Sequence, residues 1–335
     1  MPVGHTGRMQ SVILLPGLAC DAGLWRAQLP ALATRHRVHV SDVQQRCDSL
    51  PAMAAQLLRE LPVGRHVLVG ASMGGMVAMH AALQAPGRVA ALGLLGTSAR
   101  ADTPELVRLR SDACEMFAQG RMDEVLRANV LFAFHPARAA DAALVDDYLA
   151  LVRRGGADAL IRQNRAVMAR PDLRADLHRI RCPTLVLVGD GDQLTTPEHA
   201  QEIAGAIAGA RLECVAGAGH MLTLEQPDRV NALLGGDRAR TRPELAWIER
   251  GDDVRRDRPG FDVLLAVRPS GHHPSSDRQR LSTLRSRHTG IWVDERIDGH
   301  ERTVRPRRFG TRRSVVRVRS SRARPRRRPH RPPGC

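Results

Sequence analysis

His66-Val67-Leu68-Val69-Gly70-Ala71-Ser72-Met73-Gly74 is the stretch that decides how this chain is read. Its first four residues are a short apolar run closed by glycine, the mark of a buried strand. After it, Met76, Val77, Met79, His80 and Leu83 recur at helical spacing, which predicts a helix from Met73 to Gln84. Between strand and helix stands G-x-S-x-G. In that setting the serine sits on a sharp turn with its hydroxyl exposed. Side chains at Gly70 or Gly74 would collide with the neighbouring strand and helix. The helix N-terminus behind Ser72 favours negative charge developing nearby. The same five letters also suit a plain glycine-rich turn, but the flanking strand and helix favour a nucleophile.

The pattern extends in both directions. Ser11–Leu15, Val38–Val40 and Val89–Leu95 read as further strands, and Arg26–Ala33 and Pro51–Leu61 as helices. Strands alternating with helices of this length make βαβ units, hence an α/β fold with a mostly parallel sheet covered on both faces. From Asp102 to His178 the strand signal stops. Leu106, Leu109, Met116 and Phe117, then Val125, Leu126, Leu131 and Phe132, then Leu144, Val145, Tyr148, Leu149 and Val152 follow helical spacing up to Gly155-Gly156. This predicts an insertion of three or four helices. Strands return at Thr184–Val188 and Arg211–Val215, with helices at Pro197–Ala208 and Pro227–Leu234. The expected organisation is a core of residues 1–101 and 179–236, a helical insertion over 102–178, and a tail over 237–335.

Composition sets the tail apart. All 51 basic residues of the 335 are arginine. Residues 1–236 hold 24 arginines against 23 acids, whereas residues 237–335 hold 27 against 12. The net charge of +16 therefore belongs to the tail, which excludes reading the whole chain as a basic nucleic-acid binder on its average charge. The last 35 residues carry 14 arginines and one glutamate, and nine of the 21 prolines follow Gly236. Such a segment repels itself and has little apolar surface to offset ordering entropy, so the tail is expected to be disordered. Arginine, proline, glycine, serine and histidine without lysine is also what GC-rich coding DNA yields in a wrong frame. A frameshift or read-through is a second explanation, open to a check on the gene. Arginine-rich segments bind nucleic acids through counterion release. This one has few aromatics (Phe261, Trp292 and Phe309 among them) and no recognisable motif, so any binding would be non-specific.

The six cysteines are widely spaced, without CxxC or histidine-paired metal spacing, and read as free thiols in a reducing compartment. No apolar run reaches bilayer length. Arg8 and the run Val12–Leu15 faintly suggest a signal peptide, but Pro16-Gly17 breaks it at once, so a buried strand and a cytoplasmic location are expected.

A serine hydroxyl needs a base, and the base needs a partner to fix its tautomer. Both are in place. Val186-Leu187-Val188-Gly189-Asp190-Gly191-Asp192 ends a strand in two acids, and Gly217-Ala218-Gly219-His220 follows the last strand. Each candidate stands at the carboxyl end of a strand, where open α/β sheets place their sites. His5, His36, His39, His66, His80, His178 and His199 read as surface or helix-face residues. His135, beside Phe132 and Phe134 in the insertion, reads the same way, with a place at the pocket as the lesser alternative. Asp102 and Asp112 are off the strand ends, and Trp25 reads as core. Gly205 and Gly209 lack a strand-linked dinucleotide motif.

With these motifs, residues 10–234 resemble an α/β-hydrolase, of the esterase or lactonase kind. The family's oxyanion segment matches Leu14-Leu15-Pro16-Gly17-Leu18, with Pro16 where many members have histidine. The resemblance implies a hole made by the Leu18 and Met73 amides. The family's acid stands three residues after the strand-closing glycine, with proline five further on. Gly189, Asp192 and Pro197 fit, which selects Asp192 over Asp190. Gly219-His220 and Glu225-Gln226-Pro227 match the histidine loop. The implied activity is a cofactor-free serine hydrolase that cleaves a small carboxylic ester through an acyl-enzyme on Ser72, His220 and Asp192, with the insertion as lid. Opening of N-acyl-homoserine or similar lactones is the nearest alternative. Carbon–carbon hydrolysis and haloperoxidase chemistry are further family options. The alternatives of another kind are nucleic-acid binding by the tail and an inactive scaffold. The expected partner is a small ester or lactone, with no membrane and no specific nucleic acid. Only residues 1–9 precede the pattern, so the family's first hairpin would be short or absent.

Overall fold

The computed structural model describes residues 10–235. The expectations for residues 1–9 and for the arginine-rich tail lie outside the described residues.

Six strands, β1 (Ser11–Leu15), β2 (Arg37–Val40), β3 (His66–Ala71), β4 (Val89–Leu95), β5 (Thr184–Gly189) and β6 (Arg211–Val215), form one sheet in the order β2-β1-β3-β4-β5-β6. Every neighbouring pair is parallel. Parallel neighbours require crossovers, and helices supply them. α1 (Gln28–Ala33), α2 (Leu50–Glu60) and α3 (Met73–Gln84) connect the first four strands. α4 (Pro104–Ala118), α5 (Met122–Ala133) and α6 (Ala142–Met168) make the insertion between β4 and β5. α7 (Pro197–Ala206), α8 (Leu222–Glu225) and α9 (Pro227–Gly235) complete the chain.

Side chains alternate across a strand, so the central strands each serve two apolar layers. Val12 and Leu14 of β1 pack in one layer with Leu32 of α1 and Leu233 and Leu234 of α9. Ile13 and Leu15 pack in the other with Met53 and Leu57 of α2, Val77 of α3 and Ile203 of α7. The scarcity of aromatics fits this Ala, Leu and Val core, and the expected core residue Trp25 is fully buried.

The insertion departs from the sequence reading at one place. Its apolar rhythm predicts an end at Gly155-Gly156, but α6 continues to Met168. Gly156 alone leaves helical geometry (φ 79°, ψ 166°), so two helices abut at a single kinked residue. Gly155 is small for another reason: a Cβ there would come within 2.6 Å of the Ala19 carbonyl oxygen. The pair therefore marks a kink and a close backbone approach, not a helix end. Leu106, Leu109, Leu131 and Phe132 are exposed, although the periodicity groups them with the buried Cys114, Phe117, Leu126 and Val130. Two histidines also depart from the surface reading. His66 and His80 are buried, and burial depresses the basicity of both.

The strand order explains where a site can form. From β1 the chain goes to one side for β2 and to the other for β3, so the connections diverge between β1 and β3. At such a switch point the loops leaving neighbouring strands part and open a crevice at the carboxyl ends. Those two loops carry Gly17-Leu18 and Ser72.

Candidate active site

Ser72 lies between β3 and α3 with φ 52° and ψ −117°, a left-handed conformation rare for any residue but glycine. Such strain persists only where the surroundings over-determine it. Here they do. The Ser72 N–H donates to the Leu95 carbonyl at 2.8 Å, and its own carbonyl accepts from Gly75 N–H at 3.0 Å and from the Thr97 hydroxyl at 2.7 Å. A Cβ on Gly70 would fall 2.3 Å from the Gly74 backbone, and one on Gly74 would fall 2.0 Å from the Leu15 carbonyl oxygen. Both glycines are thus dictated by backbone packing at the elbow.

His220 approaches from the loop after β6. Its Nε2 lies 2.9 Å from Ser72 Oγ, and its Nδ1 lies 3.0 Å from Asp192 Oδ2 and 3.2 Å from Oδ1. An ionised carboxylate can only accept, so Nδ1 carries the proton and Nε2 is left to accept from the serine hydroxyl. Asp192 is buried and fixed by its own loop: Oδ1 accepts from Leu194 N–H and Thr195 N–H, both at 2.9 Å, and Oδ2 accepts from the Thr195 hydroxyl at 2.8 Å. Burial opposes its ionisation, but the charge and hydrogen bond of His220 and the Thr195 donors outweigh it and hold Asp192 below the usual carboxylate range. For His220 burial disfavours the cation, yet the adjacent Asp192 raises its basicity above that of a free imidazole. The other acid of the pair, Asp190, turns away and accepts from Gly217 N–H at 2.9 Å.

The loop after β1 and the first turn of α3 both border the serine. A Cβ built on Gly17 would touch the Ser72 Cβ at 3.4 Å, so the loop after β1 lies against the elbow. Met73 opens α3, where the first N–H groups have no partner within the helix. The neighbouring amides in the β1 loop are taken: Ala19 N–H donates to Gln163 Oε1 at 2.6 Å and Cys20 N–H to the Gly17 carbonyl at 3.1 Å. The Leu18 and Met73 N–H groups make no hydrogen bond among the described residues. Gln163 also donates from Nε2 to the Gln44 carbonyl at 3.0 Å, so α6 of the insertion braces this segment.

Several residues around the site were not singled out by sequence. Thr97 and Thr195 fix the elbow and the acid. Glu225 is buried and accepts two backbone N–H groups, Gly219 at Oε1 and His135 at Oε2, both at 2.8 Å. It thereby ties the histidine loop to the end of α5. Burial pushes its carboxyl up, against the pull of those two donors. Only the Glu225-Gln226-Pro227 match hinted at it. His135 packs its ring at Gly191, where a Cβ would meet its Cδ2 at 2.4 Å. Asp102 is buried in ion pairs with Arg110 and Arg170, away from His220 Nδ1. Among the described residues no group of three His, Cys, Asp or Glu side chains is placed to hold a metal ion, the five cysteines there are free thiols, and no helix is long and apolar enough to cross a membrane.

A serine on a strand-to-helix elbow, an acid after β5 and a histidine after β6, in that chain order, define the α/β-hydrolase arrangement. Residues 10–227 match the α/β-hydrolase fold family, and the chain belongs to that family of hydrolases. Polyketide synthase ThaQ of Burkholderia thailandensis is 33% identical over 239 residues, which take in 65% of this chain but span only 11% of that protein. A pimeloyl-[acyl-carrier protein] methyl ester esterase of Nitrosomonas europaea is 28% identical over 67% of this chain and 94% of its own length. Among solved structures, a thermophilic esterase from Thermogutta terrifontis aligns with TM-score 0.62 and 27% identity, covering 69% of this chain and 90% of that one.

Proposed function

We propose that this hydrolase cleaves small carboxylic esters through an acyl-enzyme on Ser72. The observation that carries the reading is the unbroken chain Ser72 Oγ–His220 Nε2–His220 Nδ1–Asp192, at 2.9 and 3.0 Å, on a strained elbow. Ser72 Oγ attacks the acyl carbon as its proton passes to His220 Nε2, and the carbonyl oxygen takes up the negative charge. The Leu18 and Met73 amides hold that oxyanion, each donor of this kind being worth roughly 3 kcal/mol. His220 then protonates the departing alcohol. In the second half a water gives its proton to His220 and attacks the acyl-serine, which releases the acid and restores the hydroxyl. Asp192 fixes the tautomer and stabilises the imidazolium throughout. The insertion, α4 to α6, serves as lid. Two of the similar proteins are named esterases, which supports an ester over other acyl substrates.

The test is hydrolysis of 4-nitrophenyl butyrate by the full chain and by Ser72→Ala, with an acyl-homoserine lactone as parallel substrate. The reading expects ester turnover that falls by roughly 10⁴–10⁶ in the variant. Faster opening of the lactone than of any linear ester would move the assignment to a lactonase on the same residues. Folded protein that turns over neither would overturn it.

A further inference from the structure

The loop after β1 holds a backbone shape that its own residues disfavour. Cys20 N–H donates to the Gly17 carbonyl at 3.1 Å, which closes a turn over Gly17, Leu18, Ala19 and Cys20. Of its two central residues only the second, Ala19, has positive φ, at 54°. That is the pattern of a type II turn, whose third position favours glycine. Apart from Ser72, Ala19 is the only non-glycine residue among the described residues with positive φ. An alanine persists there only if something outside the turn holds it.

The insertion does so. Ala19 N–H donates to Gln163 Oε1 at 2.6 Å, across 144 residues, and both residues are fully buried. Gln163 Nε2 donates to the Gln44 carbonyl at 3.0 Å, and buried Gln44 returns a bond from its own Nε2 to the Cys20 carbonyl at 3.4 Å. The other half of α6 reaches the same loop, with Arg154 Nε 2.8 Å and Nη2 3.1 Å from the two Asp21 oxygens. That ion pair is about half exposed and holds weakly. The Gln163 bond is shut off from water, and without it a buried N–H would stand unpaired.

Leu18 is strung between two fixed points. On one side Gly17 lies against Ser72, and on the other Ala19 hangs from Gln163. Once the acceptor is removed, the orphaned N–H and the strained φ both favour turning the Leu18–Ala19 peptide over, and the turn shifts with it. We infer that Gln163 is a positioning residue for the oxyanion: from the insertion it holds the Gly17–Cys20 turn in the form that aims the Leu18 amide. The inference rests on the proposed acyl-enzyme with Leu18 as a donor, and it makes the seating of α6 a determinant of transition-state binding. The competing view is that Gln163 only docks α6 on the core.

The experiment measures kcat and KM for 4-nitrophenyl butyrate, and Ki for butyl trifluoromethyl ketone, in the wild type and in Gln163→Met, with thermal melts beside them. Methionine has a similar length but offers Ala19 no oxygen. The ketone carbon bonds to Ser72 Oγ while the serine proton passes to His220, and its carbonyl oxygen becomes an oxyanion, so Ki reads the hole without turnover. Removing one donor costs about 10²–10³ in kcat, and a displaced donor loses part of that, so kcat should fall by about 10- to 100-fold. Ki should weaken by the same factor while KM stays within about twofold. A docking role alone would lower Tm and leave both constants of the folded protein as they were. Folded Gln163→Met with kcat and Ki within about threefold of wild type, or a loss confined to KM, would overturn the inference. If that variant does not fold, Gln163→Asn, which withdraws the amide by one methylene, is read by the same criteria. A wild type that cleaves no ester defeats the ester-hydrolase reading by itself. The ketone then still decides the inference: weaker binding to the variant supports it, and equal or absent binding overturns it.

Discussion

Asp192→Asn removes one charge while keeping shape, and the surrounding loop dictates how the new amide must sit. At Oδ1 the carboxylate accepts from two backbone N–H groups, Leu194 and Thr195, each at 2.9 Å. An NH2 group there would face two donors, so the amide oxygen takes that position. The amide nitrogen therefore occupies the Oδ2 position, 2.8 Å from Thr195 Oγ1 and 3.0 Å from His220 Nδ1. The threonine hydroxyl can rotate to accept. The amide nitrogen, at the 3.0 Å position, is nearer to His220 Nδ1 than the amide oxygen at 3.2 Å, so Nδ1 accepts in turn and the ring proton moves to Nε2. That nitrogen lies 2.9 Å from Ser72 Oγ and can no longer take the serine proton. A triad locked in the wrong tautomer loses about 10⁴ in kcat, roughly 5.5 kcal/mol in activation free energy. The assay is kcat for 4-nitrophenyl butyrate at pH 8, with thermal denaturation run beside it to show that the variant folds. A folded variant that loses less than tenfold would refute the reasoning, because His220 would then not depend on Asp192 for its proton.

Three further outcomes follow from the same geometry. Because His220 must be neutral to act as base and Asp192 holds its pKa above the usual 6.5, kcat/KM should rise with pH through one ionisation above that value; a flat profile from pH 5.5 to 8 contradicts it. Glu225→Gln turns one of two accepting oxygens into a donor facing a buried N–H, at a cost of about 1–3 kcal/mol and a fall of about 2–4 °C per kcal/mol in Tm; calorimetry showing no fall would refute the clamp. Gly74→Ala puts a Cβ 2.0 Å from the Leu15 carbonyl oxygen, so the variant should fail to yield folded soluble protein, and a wild-type circular-dichroism melt would contradict the elbow packing.

Much of the fold was legible because parallel strands buried on both faces read as uniform apolar runs. β1 and β4 begin and end where the runs Ser11–Leu15 and Val89–Leu95 place them, and so does the half-buried edge strand β6 at Arg211–Val215, although Arg211 and Glu213 interrupt its apolar run. The elbow was legible because Gly70 and Gly74 are imposed by backbone contacts that admit no other residue. Gly189 and Pro197 separated Asp192 from Asp190 through a family spacing, and the structure brings Asp192 to His220. What escaped depends on contacts distant in sequence. Gly155-Gly156 is indistinguishable from a helix end without Ala19 beside it. Arg110 looks like any helix-surface arginine until Asp102 and Asn164 close around it. Glu225 resembles an ordinary acid until the amides of Gly219 and His135, six and ninety residues away, are seen to meet it. His80 sits on a helix buried on nearly all sides, which periodicity alone does not reveal.

The central claim is that Ser72 is the nucleophile, and the most direct measurement is intact-protein and peptide mass spectrometry after treatment with a fluorophosphonate. The account predicts one adduct, located on Ser72, formed slowly or not at all in His220→Ala and Asp192→Asn. An adduct on another residue, or none in folded wild-type protein, would contradict it.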